Sequence, residues 1–204
     1  ISDERAAGRT GMGAVLGWKN LKAITASGTQ TIPVHNPEKT TQWCKKWIAY
    51  LQKHPLTGQQ LPRMGTAGLV SSMQMIGILS TKNYSQGQYE DFDKVSGETL
   101  AEEYNITNKG CLTCPIRCAR TVRVQGKAVK GPELETLGLL GGNICNNNLQ
   151  KILDWNYELD QLGMDTISTA NTIAWAMEAN EKGLWDSGLC FGQTDNLSQI
   201  FEDI

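Results

Sequence analysis

LQKILDWNYELDQLGMDTISTANTIAWAMEANEK, residues 149–182, decides the fold, because the stretch has the pattern of two helices joined by a short turn. The apolar spacing predicts one helix over Leu149–Leu162 and a second over 167–182. Gly163 is suited to end the first helix, and Asp165 is suited to cap the second. Two helices of this length predict a mainly α-helical chain.

Further helices are predicted on both sides of this pair. Asn36 followed by Pro37 is a typical helix start, and we expect that helix to end near His54-Pro55. A second helical segment is predicted over 67–79, with methionines as apolar filling, and a third begins after Ser96 as its cap. The turn Gln125-Gly126 predicts a β-hairpin.

Aromatic residues of the helix after Asn36 share one face. Trp43, Trp47 and Tyr50 lie there together with Leu51, and this spacing favours a position in the core over a cofactor contact. Cys44 lies among them and is interpreted as a small buried apolar residue.

Composition limits the class of protein. The chain has 204 residues, 40% of them hydrophobic and 20% charged, with a formal net charge of −2. These values predict a globular domain and no nucleic-acid or anionic-membrane partner. No apolar run approaches the roughly 20 residues of a membrane-spanning helix, and no signal peptide is evident, so we expect a cytoplasmic protein. Because the chain lacks an initiator Met and ends within an amphipathic segment, we expect a piece of a longer protein.

Glycines are concentrated in the first thirty residues. Gly8, Gly11, Gly13 and Gly17 precede a predicted short strand over 21–26. Such a cluster favours a tight turn that packs a helix against a sheet. Phosphate binding is the alternative, although the pattern matches neither the Walker nor the dinucleotide motif.

Three cysteines occur within eight residues, in CLTCPIRC at 111–118. Soft thiolates at this spacing, in a loop containing Pro115, favour an iron–sulfur cluster bound by Cys111, Cys114 and Cys118. Three alternatives are a disulfide, a zinc site and buried inert cysteines. The three cysteines of this stretch cannot all pair with one another, which disfavours a disulfide, and the lack of nearby histidines disfavours a zinc site. For the fourth ligand, the candidates are Cys145, Cys190 and a cysteine outside these residues.

Carboxylates cluster at two predicted helix ends. Glu133 and Glu135 fall in the first turn of a short helix, where they either stabilise the helix dipole or serve as a general acid or base. Asp160 and Asp165 flank the turn between the two long helices. Capping alone would explain Asp165, while exposed amides at a helix start also attract anions.

Four stretches together resemble one family. GRTGMGAVLGWKNLKAI (8–24), CLTCPIRCAR (111–120), GPELETLGLLGGN (131–143) and DQLGMDTIS (160–168) are similar to signature segments of the tungsten-containing aldehyde:ferredoxin oxidoreductases, in the same order. The resemblance implies a fold in which residues 1–30 are the tail of a β-rich cofactor domain. Residues 31–204 would then be the first part of a mainly α-helical region that binds the cluster and the pterin.

The resemblance also implies roles for individual residues. Glu135 matches the carboxylate near the metal, with Glu133 as the alternative, and the three cysteines match cluster ligands. The fourth family ligand belongs to a later segment that this sequence does not contain, and so does a histidine partner of the glutamate. The residues matching the pterin-binding segments are Arg5, Ala6, Asp160, Gly163, Met164 and Asp165, with Met164 in place of the usual Leu.

The implied function is the oxidation of small aldehydes to carboxylic acids. The implied cofactors are a tungsten or molybdenum bis-molybdopterin, a [4Fe-4S] cluster and magnesium at the pterin phosphates. Electrons would pass to ferredoxin or another electron-transfer protein, and a homodimer is a further expectation. The alternatives are a family member acting on another substrate, such as an aryl-CoA thioester in a multisubunit complex, and a fragment that is itself inactive.

Overall fold

A computed structural model describes residues 7–204. The sequence-based assignments of Arg5 and Ala6 fall outside the described residues. The α-helices are α1 (Met12–Trp18), α2 (Pro37–Lys53), α3 (Leu61–Met64), α4 (Val70–Met75), α5 (Gly97–Glu103), α6 (Leu134–Leu140), α7 (Leu149–Leu162), α8 (Thr166–Glu181) and α9 (Leu197–Asp203). The strands are β1 (Thr107–Lys109), β2 (Ala119–Val124) and β3 (Lys127–Lys130). The mainly α-helical prediction is therefore confirmed.

The core lies among α6, α7, α8 and α9. Leu137 and Leu140 of α6, Ile152 of α7 and Met177 of α8 have no exposed surface. Burial of each such side chain stabilises the fold by about 1.5–3 kcal/mol. The ring of Phe201 on α9 meets the Trp155 ring of α7 edge-on, with 6.1 Å between centroids.

Helices α7 and α8 lie where the sequence predicted them, and residues at their ends fix where they begin and stop. The Asn148 side chain accepts a hydrogen bond from the Lys151 N–H at 3.1 Å, which caps α7. Gly163 adopts the left-handed conformation, with φ of 73°, and ends that helix. The Asp165 side chain then caps α8. The turn between the two helices is thus fixed by residues within it.

The small sheet is antiparallel, in the order β1–β2–β3. Val124 pairs with Lys127 across the turn, where Gln125 and Gly126 have φ of 50° and 77°. Two consecutive positive φ values are typical of the tightest hairpin turns. The predicted hairpin at Gln125-Gly126 is confirmed. The predicted Ser96 cap is also confirmed, because the Ser96 hydroxyl accepts from the Thr99 N–H at 3.1 Å at the start of α5.

Two predicted elements are wrong. Residues 21–26 form no strand and are largely exposed, since the described residues provide no neighbouring strand for them. The predicted helix over 67–79 is broken into a 3₁₀ segment, Gly65–Leu69, followed by the short helix α4. Gly77, with φ of 73°, ends α4 by donating its N–H to the Gln74 carbonyl. Met75 next to this end is 77% exposed instead of buried.

The aromatic face of α2 also departs from prediction. The helix begins at Asn36-Pro37 as expected, but Trp43, Trp47 and Tyr50 are 59%, 58% and 66% exposed. Cys44 is exposed as well. The reason is that, in the part of the chain described, α2 packs mainly on the π-helical turn Pro55–Gln60 and nothing covers its aromatic face. Separately, no helix within residues 7–204 combines the length and apolar character needed to cross a membrane.

Candidate functional site

A polar cavity of about 160 Å³ opens where three helices meet. The start of α6, the end of α7 and the start of α8 line it, together with the end of β3. Glu135, Asp160, Met164 and Asp165 are among its lining residues. Residues chosen from two separate sequence stretches therefore lie on one cavity. Gly163 forms the turn just behind it.

The two glutamates of α6 have different surroundings. Glu133 precedes the helix, and its carboxylate lies 3.2 Å from the Lys130 ammonium, which is 18% exposed. Glu135 lies in the first helical turn, where the helix dipole stabilises a carboxylate. Because Glu133 is ion-paired with Lys130, Glu135 is the better placed of the two to act on a bound molecule.

Asp165 serves the backbone of α8 directly. One carboxylate oxygen accepts hydrogen bonds from the Ser168 N–H at 2.8 Å and from the Ser168 hydroxyl at 2.7 Å. Capping is therefore part of its role, as the sequence allowed. Asp165 also lines the cavity, together with Asp160 from the end of α7.

The glycine-rich segment reaches the same place. A Cβ atom added to Gly8 would lie 2.1 Å from the Asp165 Cβ, so only glycine fits against this aspartate. Gly13 is similarly close to the Ala7 carbonyl oxygen, at 2.5 Å from an added Cβ. Sequence reasoning assigned these glycines to close packing but did not identify Asp165 as the residue they approach.

Two buried polar contacts in the cavity wall were not predicted. The hydroxyls of Thr136 on α6 and Thr166 on α8 are 2.9 Å apart. The Asn156 amide donates to the Lys130 carbonyl at 2.9 Å. Both contacts join separate elements, so they fix the spacing of the helices that carry the carboxylates. In the sequence, these contacts could be suspected only because Thr136 and Asn156 are polar residues among the apolar residues of their helices.

The three cysteines lie on a loop between β1 and β2. The Cys114 N–H donates to the Cys111 carbonyl at 3.1 Å, forming a turn, and Thr113 and Arg117 have positive φ. Cys111 is exposed, whereas Cys114 and Cys118 are half-buried, and all three are free thiols. Within residues 7–204, no three His, Cys, Asp or Glu side chains are grouped closely enough to bind a metal ion. Three thiols on one short loop still suit an iron–sulfur cluster by their donor chemistry, so the cluster stays a prediction.

One short segment connects the cysteine loop to the cavity. A Cβ atom on Gly65 would lie 2.5 Å from the Cys118 carbonyl oxygen. The next residue, Thr66, accepts a hydrogen bond from the Leu134 N–H at 3.2 Å. Since the Glu133 side chain makes no capping hydrogen bond, Thr66 satisfies this first N–H of α6 from outside the helix.

Cys145 and Cys190, the other candidates for the fourth cluster ligand, lie near the C-terminal end of α8. Burial raises the pKa of the Cys145 thiol, and the nearby Lys82 opposes that shift. Lys82 is paired with Glu181, at the far end of α8 from Asp165. The length of that helix, 16 residues, corresponds to about 24 Å. The Cys190 sulfur accepts a hydrogen bond from the Asn180 amide at 3.7 Å, near the same end of α8.

Comparison with known families is decisive. The protein-family model described as aldehyde ferredoxin oxidoreductase, domains 2 and 3, matches residues 42–204. The chain belongs to the aldehyde ferredoxin oxidoreductase family. It is 42% identical over 180 residues to the tungsten-containing aldehyde ferredoxin oxidoreductase of Pyrococcus furiosus, and 41% identical to that of Thermococcus kodakarensis. Both alignments cover 88% of this chain and 30% of the relative.

A more distant relative has a different name. The chain is 29% identical over 187 residues to an aliphatic sulfonate oxidoreductase, WOR-like subunit, of Pyrococcus furiosus, an alignment that covers 88% of this chain and 29% of that protein. The chain therefore spans about 30% of the length of the curated relatives it matches. The cavity and the cysteine loop both fall within the matched family region, residues 42–204.

Proposed function

We propose that the protein to which this chain belongs oxidises small aldehydes to carboxylic acids and passes the electrons to ferredoxin or a similar electron carrier. One observation carries the proposal: Glu135 and the D-Q-L-G-M-D turn line one cavity in a chain 42% identical to a tungsten-containing aldehyde ferredoxin oxidoreductase. The overall reaction adds the oxygen of water to the aldehyde and releases two electrons and two protons.

The cavity residues would hold a pterin cofactor. Asp160 lies in the last turn of α7, and Gly163, Met164 and Asp165 form the turn to α8. The N-terminal end of α8 adds the positive end of a helix dipole. Arg5 and Ala6, with magnesium at the pterin phosphates, belong to the same proposed site. When bound, the pterin-held tungsten or molybdenum would supply the two-electron chemistry.

Glu135 would manage a proton at this site. A carboxylate in a polar cavity can accept a proton from water or from the hydrated aldehyde as oxygen is added. Glu133 is less suited to that role because the Lys130 ammonium neutralises it. Thr136 and Asn156 hold in position the elements that line the cavity beside Glu135.

The cysteine loop would bind the [4Fe-4S] cluster that takes the electrons one at a time. Cys111, Cys114 and Cys118 would supply three of its four thiolate ligands. The close packing of Gly65 against the Cys118 carbonyl supports a fixed distance between this loop and the cavity.

A family member with another substrate is the second candidate. The 29% identity to an aliphatic sulfonate oxidoreductase subunit supports it, because that relative is named for a different substrate class and as part of a complex. An aryl-CoA thioester, acted on within a multisubunit complex, is another substrate that this second candidate includes. The higher identity to the aldehyde enzymes favours the aldehyde reaction.

The test is metal analysis followed by turnover. Full-length protein is purified anaerobically, and iron, sulfide, tungsten and molybdenum are quantified in the same sample. About four irons and one tungsten or molybdenum per chain, together with aldehyde-dependent reduction of ferredoxin, are expected. Zinc alone, or no metal, would contradict the proposal. Turnover of an aryl-CoA thioester or a sulfonate without aldehyde turnover would favour the second candidate.

A further inference from the structure

Arg120 is buried beside the cysteine loop. It is the second residue after Cys118, lies in β2, and is 3% exposed. Arginine is almost never fully buried unless its charge is paired. The proposed function gives this residue no role, so its burial calls for an explanation.

Within residues 7–204, the described hydrogen bonds of the Arg120 guanidinium go to neutral main-chain oxygens. Its Nε donates to the Arg63 carbonyl at 3.2 Å, and its Nη1 donates to the Arg117 carbonyl at 3.1 Å. Further hydrogen bonds go to the carbonyls of Ala119 and Leu61. These bonds join α3 to the cysteine loop, so Arg120 fixes the position of the loop.

No carboxylate appears among the described ion pairs and hydrogen bonds of Arg120 within residues 7–204. Burial of a charged group without an oppositely charged partner is costly. A guanidinium nevertheless stays protonated in proteins. Within the described residues, this positive charge therefore has no carboxylate partner, is shielded from water and lies two residues from a predicted cluster ligand.

The geometry points to Arg120 as the residue that holds the cysteine loop in place and raises the reduction potential of the cluster bound there. The inference rests on the proposed function only in assuming that the loop binds a cluster. One-electron reduction makes a cluster more negative by one charge. A fixed cation in a low-dielectric region favours the reduced form, and burial prevents salt from screening it.

Arg117 offers a matched control. It belongs to the same loop, one residue before Cys118, and it carries the same charge. Its side chain is exposed, with a single described contact to the Asn108 carbonyl at 3.5 Å. Water and salt screen such a charge, so its removal should change the potential far less.

The experiment compares Arg120→Gln, Arg120→Lys and Arg117→Gln in the anaerobic full-length holoenzyme. Iron and sulfide content are measured first, and the cluster is then titrated with a reductant while its reduced form is followed by electron paramagnetic resonance. In Arg120→Gln we expect reduction to become about tenfold less favourable, a potential about 59 mV more negative. Arg120→Lys keeps the charge, so it and Arg117→Gln should change the equilibrium by less than about threefold.

The outcomes separate the two proposals. Wild-type protein without iron and sulfide would overturn the proposed function. An intact cluster whose potential is the same in wild type and Arg120→Gln would overturn this inference alone, since a purely structural arginine would alter yield and stability but not potential. If Arg120→Gln does not fold, Arg120→Met, which removes the charge and keeps an unbranched side chain, decides: reduction about tenfold less favourable supports the inference, and an unchanged potential overturns it.

Discussion

At the scale of single residues, Glu133 and Glu135 differ in their surroundings, although they are close in the sequence. Glu133 and Glu135 are two positions apart in G-P-E-L-E, and sequence reasoning left Glu133 as an alternative to Glu135. The ion pair with Lys130 distinguishes them, because it balances the charge of Glu133, which precedes the helix, whereas Glu135 lies in the first helical turn. The pair is local, three residues apart, but its geometry depends on the conformation of the segment that joins β3 to α6.

Replacing Glu135 with Gln should lower kcat by at least about 100-fold, the range typical of a lost general base. The amide preserves the size of the side chain but accepts no proton. The measurement is steady-state aldehyde oxidation by the full-length enzyme with its metal content checked. Glu133→Gln is the control and should lose less than about tenfold. Equal losses in both variants would argue against a special role for Glu135.

Tyr89 should make stability depend on alkaline pH. Burial raises its pKa, with the Asp91 charge adding to the effect. A raised pKa means that the folded state favours the neutral phenol. Its contribution to stability is full below the unfolded value of about 10 and is lost as the pH rises above it. Denaturant midpoints measured between pH 8 and pH 11 should therefore fall more steeply for wild type than for Tyr89→Phe.

At the scale of elements, the ends of helices could be predicted from the sequence, but the elements that pack against them could not. The caps at Asn148 and Asp165 and the left-handed Gly163 act within a few residues, and the sequence located α7 and α8 almost to the residue. The exposure of Trp43 depends instead on what lies opposite α2. The same is true of the contact between Gly65 and Cys118, which joins distant parts of the chain. Periodicity identifies a face of a helix but not its partner.

The cap of α7 should contribute measurably to stability. Asn148→Ala removes the acceptor for the Lys151 N–H, and we expect a loss of about 0.5–2 kcal/mol in the free energy of unfolding. Denaturant unfolding monitored by circular dichroism measures it. Gln150→Ala, on the exposed side of the first turn, should change stability by less than about 0.5 kcal/mol.

The contact between the glycine segment and α8 should tolerate no side chain. Gly8→Ala would place a Cβ atom 2.1 Å from the Asp165 Cβ, so the two segments must separate. We expect lower tungsten or molybdenum content and faster proteolysis between residues 8 and 30. Gly17→Ala is the matched control, because nothing lies within 4 Å of its added Cβ. Unchanged metal content in Gly8→Ala would mean that this contact does not support the cofactor site.

Residues 7–204 form a helical core that carries the candidate cavity and the cysteine loop. The cavity lies where α6, α7 and α8 meet, and the cysteine loop is attached to it through Gly65 and Thr66. The fold class and family were evident from the sequence because four ordered segments carry them. The proposed division at residue 30 stays a prediction.

The 204-residue chain and its full-length parent should differ in metal content. The chain spans about 30% of its relatives, and no metal-binding group is assembled within residues 7–204. We expect the isolated chain to retain less than about one iron, against about four in the parent. Elemental analysis of both, purified anaerobically, measures the difference. A full complement of iron in the isolated chain would show that the fourth ligand lies within it.

The double contact made by Gly65 and Thr66 also has a consequence for the order of folding. Thr66 and Leu134 are separated by 68 residues, whereas the helical hairpin of α7 and α8 closes through a turn of three residues. Contacts between distant residues form slowly, because a long loop must close first. The hairpin that carries Asp160 and Asp165 should therefore form early, before the cysteine loop packs against Gly65.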